Sequence, residues 1–152
     1  MALLNYTTAV TWQKSVQEIV AFLIAAKATT IMQEFDGAGY VTALAFKAMT
    51  AGGEMAFRLP VDVQRTHAVL VNEFRARRIA RRFANDIGHS RNVAWRILRH
   101  WAEAQVALIQ IGLANVEQVF LPYAQNAAGQ TLYEALVEQK FSGLTLPERS
   151  AA

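Results

Sequence analysis

The residues best suited to chemistry in this chain are arginines, and they are bunched. Nine of the fifteen basic side chains are Arg65, Arg75, Arg77, Arg78, Arg81, Arg82, Arg91, Arg96 and Arg99. Only Glu73 and Asp86 oppose them, so this stretch carries +7, whereas the remainder, with six basic and ten acidic residues, carries −4. The guanidinium is planar, always charged and shaped to grip phosphate or carboxylate two hydrogen bonds at a time. A concentration of this kind points to a polyanion or to an acidic protein surface. The competing explanation is a solvated helix face with no ligand.

Other chemistry finds less support. The three histidines are His67, His89 and His100. None of them is paired at the i, i+4 spacing of a helical metal site, so no metal is expected. His67 falls on an apolar stripe, where a hydrogen-bonded core histidine is the simpler account. Metal-dependent nucleases share part of the element order found below and use paired strand carboxylates followed by lysine. Here Asp36 and Lys47 are in place, but the acid expected two residues before the lysine is Ala45. Glu54 has Ala56 where a lysine would follow. Without that ligand set a magnesium ion and its nucleophilic water are not held, and a non-catalytic protein without a cofactor is expected. No Gly-rich phosphate loop, nucleophile elbow or serine triad signature appears.

The elements that must position the arginines follow from periodicity. With 152 residues, 53% of them apolar and 18% charged, the chain is expected to be one ordered domain spanning 1–152. No apolar run approaches the ~18 residues of a membrane span. The start, Met1–Val10, lacks a basic leader pattern, and there is no cysteine. The expected setting is therefore the cytoplasm, with no membrane partner. Helical spacing of Val16, Ile19, Val20 and Leu23, with a Ser15–Glu18 capping box, predicts a helix over Ser15–Lys27. Strands are predicted over Thr29–Phe35, over Tyr40–Met49 and from Glu54 until Pro60 stops the run, joined by turns at Asp36–Gly39 and Gly52–Gly53. In the second strand Tyr40, Thr42, Leu44 and Phe46 share one face, and Val41, Ala43, Ala45 and Lys47 the other.

After Pro60 the period becomes helical. Asp62 reads as an N-cap, with Val63, His67, Leu70 and Phe74 on an apolar stripe. Projected at about 100° per residue, Arg75–Ala84 separates into an apolar side (Ala76, Ile79, Ala80, Phe83, Ala84) and an arginine side (Arg75, Arg77, Arg78, Arg81, Arg82). Phe74 falls among the arginines of a continuous helix, which suggests a break near Glu73. Asn85–Gly88 reads as a turn and Ser90 as the next cap. The following helix, Arg91–Ile111, is expected to be central, its apolar arc centred on Val93, Ile97, Trp101, Ala104, Leu108 and Ile111 and ended by Gly112. Trp101 is expected in the core and Trp95 at the rim. Short helices over Val116–Phe120 and Leu132–Lys140, the latter capped by Thr131, and an irregular tail from Ser142 complete the order. The sum is an α+β fold: a helix, a three-stranded antiparallel meander and a run of about four helices. Double-stranded RNA modules and phage strand-annealing proteins share parts of this topology without a diagnostic motif here.

One resemblance spans most of the chain. Val93-Ala94-Trp95-Arg96-Ile97-Leu98 with Trp101, Glu103, Ala104 and Gln105 leads on to Phe120-Leu121-Pro122-Tyr123-Ala124. With Phe57-Arg58-Leu59-Pro60 and Thr131-Leu132-Tyr133-Glu134, this resembles a family of small phage, prophage and bacterial proteins of unassigned activity. The resemblance implies a mobile-element protein of the bacterial cytosol and nothing about its chemistry. The sequence thus leads to a nucleic-acid-binding protein, with DNA the first expectation. The expected contacts are Arg75, Arg77, Arg78, Arg81, Arg82, Arg91, Arg96 and Arg99, with Trp95, Phe74 or Phe83 stacking on bases. An acidic protein surface is the alternative partner. Self-association is left open.

Overall fold

A computed structural model describes residues 1–148 and gives the order α1 (Trp12–Ala25), β1 (Ala28–Phe35), β2 (Val41–Thr50), β3 (Gly53–Pro60), α2 (Val63–Arg75), α3 (Ile87–Gln110), α4 (Val116–Phe120) and α5 (Leu132–Glu138). Short 3-10 turns lie at Arg81–Phe83 and Leu121–Tyr123. This is the α+β arrangement expected, with an antiparallel sheet in the order β1-β2-β3. The tail is irregular through Glu148, and its last four residues lie outside those described.

Helix α1 starts earlier than Ser15 because Thr11 is its cap, the hydroxyl accepting from the Lys14 amide. The next orphan amide, Trp12 N–H, donates to Asn92 Oδ1 of α3 at 2.8 Å, so a tertiary bond fixes the start. Ser15 is buried inside the helix instead. In β2 the inward residues are Leu44, Phe46 and Ala48, but Val41 and Ala43 are buried as well. The register against β1 slips between Glu34 and Phe35, leaving Thr42 as an extra residue. That bulge breaks the strict alternation expected from Tyr40 onward.

The main core gathers Val16, Ile19 and Leu23 of α1, Leu44, Phe46, Phe57 and Leu59 of the sheet, Trp95, Ala102 and Val106 of α3, and Phe120 of α4. Phe46 stacks on Phe57 at 5.0 Å between centroids and meets Phe120 edge-on at 5.1 Å. A smaller core under α2 holds Leu70, Ile79, Ala84 and Val93, flanked by Leu3, Tyr6, Phe83 and Ile97. Helix α3 runs between α1 and α2, which is why both its sides are apolar.

Asp86 caps α3, where a turn was expected, and Ser90 sits buried in the helix, bonded to His67 Nδ1 at 2.8 Å. The Ser90–His67 pair therefore fastens α3 to α2, and its hydroxyl is out of reach of any substrate. No helix among the described residues is long and apolar enough to cross a membrane.

Candidate nucleic-acid interface

The arginine stretch is not a helix. Helix α2 stops at Arg75 with Ala76 as its C-cap. Arg77 N–H donates to Phe74 O and Arg78 N–H to Glu73 O, both at 2.9 Å, while Arg77 takes φ +60°. These two bonds form a Schellman motif with arginine at the left-handed position that glycine usually fills. The break expected near Glu73 thus falls at residues 76–77. Replacing Arg77 by glycine relieves the Cβ crowding, partly offset by a freer unfolded chain, so Arg77→Gly should raise stability by about 0.5–1 kcal/mol. A thermal or urea midpoint below wild type would show that the Arg77 side chain holds the loop.

Beyond the motif the chain is pinned by two apolar anchors. Ile79 and Ala84 are buried in the smaller core, and the Arg81–Phe83 turn spans the gap between them. Phe83 meets Tyr6 edge-on at 5.3 Å, and His89 Nε2 bonds the Tyr6 carbonyl at 2.6 Å. The buried Glu73 carboxylate accepts from the Leu3 amide at 3.2 Å. The amino-terminal segment therefore braces the loop, and Glu73, in the last turn of α2 beside it, is turned inward. Arg75, Arg77, Arg78, Arg81 and Arg82 are all exposed, and none is in an ion pair among the described residues. Arg82 lies over the Phe83 ring, 4.8 Å from its centroid, and Phe74 is exposed at the last turn of α2.

The other expected contacts are not brought to this loop. Arg96 and Arg99 are only 15% and 16% exposed, and both bond Glu18 of α1 at 2.7 Å. Arg99 also bonds Glu103 and packs on the Phe22 ring. Burial alone would raise the Glu18 pKa. The hydrogen bonds and charges of Arg99 and Arg96 outweigh it and hold the carboxyl below its usual value. These two arginines are α1–α3 cross-links. Arg91 stacks 3.6 Å above the Tyr40 ring and shares a small cavity with Asp36 and Asp62 at the sheet end. Arg65 pairs with Asp62 at 3.4 Å and borders a groove of about 430 Å³ floored by Leu98, Trp101 and Tyr123.

Trp95 corrects the sequence expectation most sharply. It is 0% exposed, so it cannot stack on a base, and its Nε1 has no partner. Trp101, expected at the centre of the core, is half-buried against Phe120 and Tyr123. Of the acids weighed for metal chemistry, Asp36 caps the first hairpin by accepting from the Ala38 and Tyr40 amides. Glu54 lies at the other end of the sheet beside Thr29. Among the described residues no three histidine or acidic side chains come together as metal ligands. No family model, curated protein or solved structure matches the chain.

Proposed function

We propose that the protein binds nucleic acid without catalysis, gripping phosphates on the arginines of the 75–82 loop. One observation carries this reading: five exposed guanidinium groups stand within eight residues, on an anchored loop, with no counter-charge among the described residues. Elsewhere the fold does neutralise its arginines, as Glu18 does for Arg96 and Arg99. Leaving this set unpaired sustains mutual repulsion that a polyanion relieves. Phosphate contacts of this type give affinity without sequence preference, and Phe74 adds an apolar ring beside them. A cytoplasmic protein of a phage or mobile element, acting on DNA, fits both the loop and the resemblance noted above.

The direct test is fluorescence anisotropy on a labelled single strand of about 30 nucleotides at about 50 and 200 mM salt. Five phosphate contacts give a log–log salt slope of about −3.5, so affinity should fall by about a hundredfold across that range. No binding at the lower salt, or binding indifferent to salt, would remove nucleic acid as the ligand.

A further inference from the structure

The two edges of the sheet are treated differently. On the β3 side, Ala124 forms a bridge with Phe57, and the Gln125 amide donates to Ala56 O at 2.8 Å, so that edge is covered. On the β1 side nothing equivalent exists. Among the described residues, no backbone hydrogen bond from outside β2 reaches residues 28–35. No residue of β1 is fully buried; Met32 is 59% and Phe35 61% exposed.

An open edge is a template for another strand, and natural sheets defend it with lysine, proline, inward charges or bulges. The strand Ala28–Phe35 contains no lysine or proline. Its register irregularity at Thr29 lies at one end, leaving Thr30–Glu34 in unbroken pairing with β2. Its single charge, Glu34, is already engaged by Arg58 at 2.7 Å. The edge therefore lacks protection over Thr30–Glu34, a length of roughly 17 Å.

We propose that this edge pairs with β1 of a second copy, antiparallel across a two-fold axis, to make one six-stranded sheet. Self-pairing suits the strand's charges. With Glu34 as the only ionised group, reversal of the partner strand brings no like charges opposite one another. A two-fold axis normal to the sheet keeps both cores on one side and closes the assembly at two chains. Helix α1, which packs on β1, presents exposed Ala21 and Ile24, and these extend the contact beyond the strand itself. A strand pair alone is small against the ~800 Å² per partner of a stable interface.

Sedimentation equilibrium of the full chain, up to about 100 μM, tests the proposal. Wild type should sediment at twice the 16.9 kDa chain mass. Met32→Lys places a charge on the exposed face of the edge and should return the mass to one chain with an unchanged circular dichroism spectrum. Tyr133→Lys, an exposed change on α5, should leave the dimer intact. A wild type that is monomeric throughout, or a dimer that survives Met32→Lys, would overturn the pairing. Neither result bears on phosphate binding, which the arginine loop and its salt dependence test separately.

Discussion

Trp95→Ala should remove about 3–5 kcal/mol of folding free energy, the largest loss expected of any single truncation on α3. The indole is wholly enclosed by α1, the sheet and α3, so alanine loses its full transfer term and leaves a cavity that those elements cannot collapse around. Against a typical stability of about 5–15 kcal/mol, that is a large share. Trp95→Phe should cost less, about 1–2 kcal/mol, because the ring still fills most of the space and the buried N–H, unpaired here, is removed with the indole. Trp101→Ala should fall well below Trp95→Ala, since Trp101 lines an open groove and is only half-buried. The measurement is the urea midpoint of each variant at unchanged m-value. A Trp95→Ala midpoint no lower than that of Trp101→Ala would mean that the main core is centred elsewhere on α3.

The contrast between these tryptophans shows where sequence reading reaches its limit. Some caps carry their signals locally, so Asp62, Thr131 and Gly112 fall where expected, whereas Ser15 and Ser90 are buried inside helices that Thr11 and Asp86 cap. The inward side of α3 carries no such local signal. At about 100° per residue, Ala102 and Val106 lie within about 20° of Trp95, a narrow stripe flanked about 40° away by Arg91 and Arg99. Those charges make the buried side look polar and shift the apparent apolar centre to the opposite side, toward Val93, Ile97 and Trp101. Their neutralisation is tertiary. Glu18, 81 residues before Arg99, lies across the α1–α3 contact, and the Tyr40 ring takes the Arg91 guanidinium. The end of α2 was obscured for a related reason, because arginine occupies a left-handed position that glycine would have announced. The charge excess was thus legible as composition. Which arginines remain free was not, because it depends on which carboxylates the fold brings to them.

Arg78→Ala combined with Arg82→Ala should weaken nucleic-acid binding by about 25- to 60-fold at about 0.1 M salt and flatten the salt slope by about 1.4 units on single strands or 1.8 on duplex. Each arginine counts as one phosphate contact, and the loss should be the same for unrelated sequences, since such contacts carry no base information. Folding should be nearly untouched. Both side chains are exposed and lie outside the α-helices, and among the described residues the interaction lost is the Arg82–Phe83 contact, about 0.5–1 kcal/mol. Arg96→Ala supplies the opposite pattern. It breaks the bond to Glu18 and lowers stability, yet it should leave the salt slope unchanged because that guanidinium is already committed within the fold. If the double variant kept the wild-type slope, the loop would not be touching phosphates. If Arg96→Ala flattened the slope instead, the ligand would have to open the α1–α3 contact to bind. Separate effects on stability and on salt dependence are thus the expected signature of two kinds of arginine: those at the α1–α3 contact, bonded to Glu18 within the fold, and those on the 75–82 loop, which meet phosphate in the proposed function.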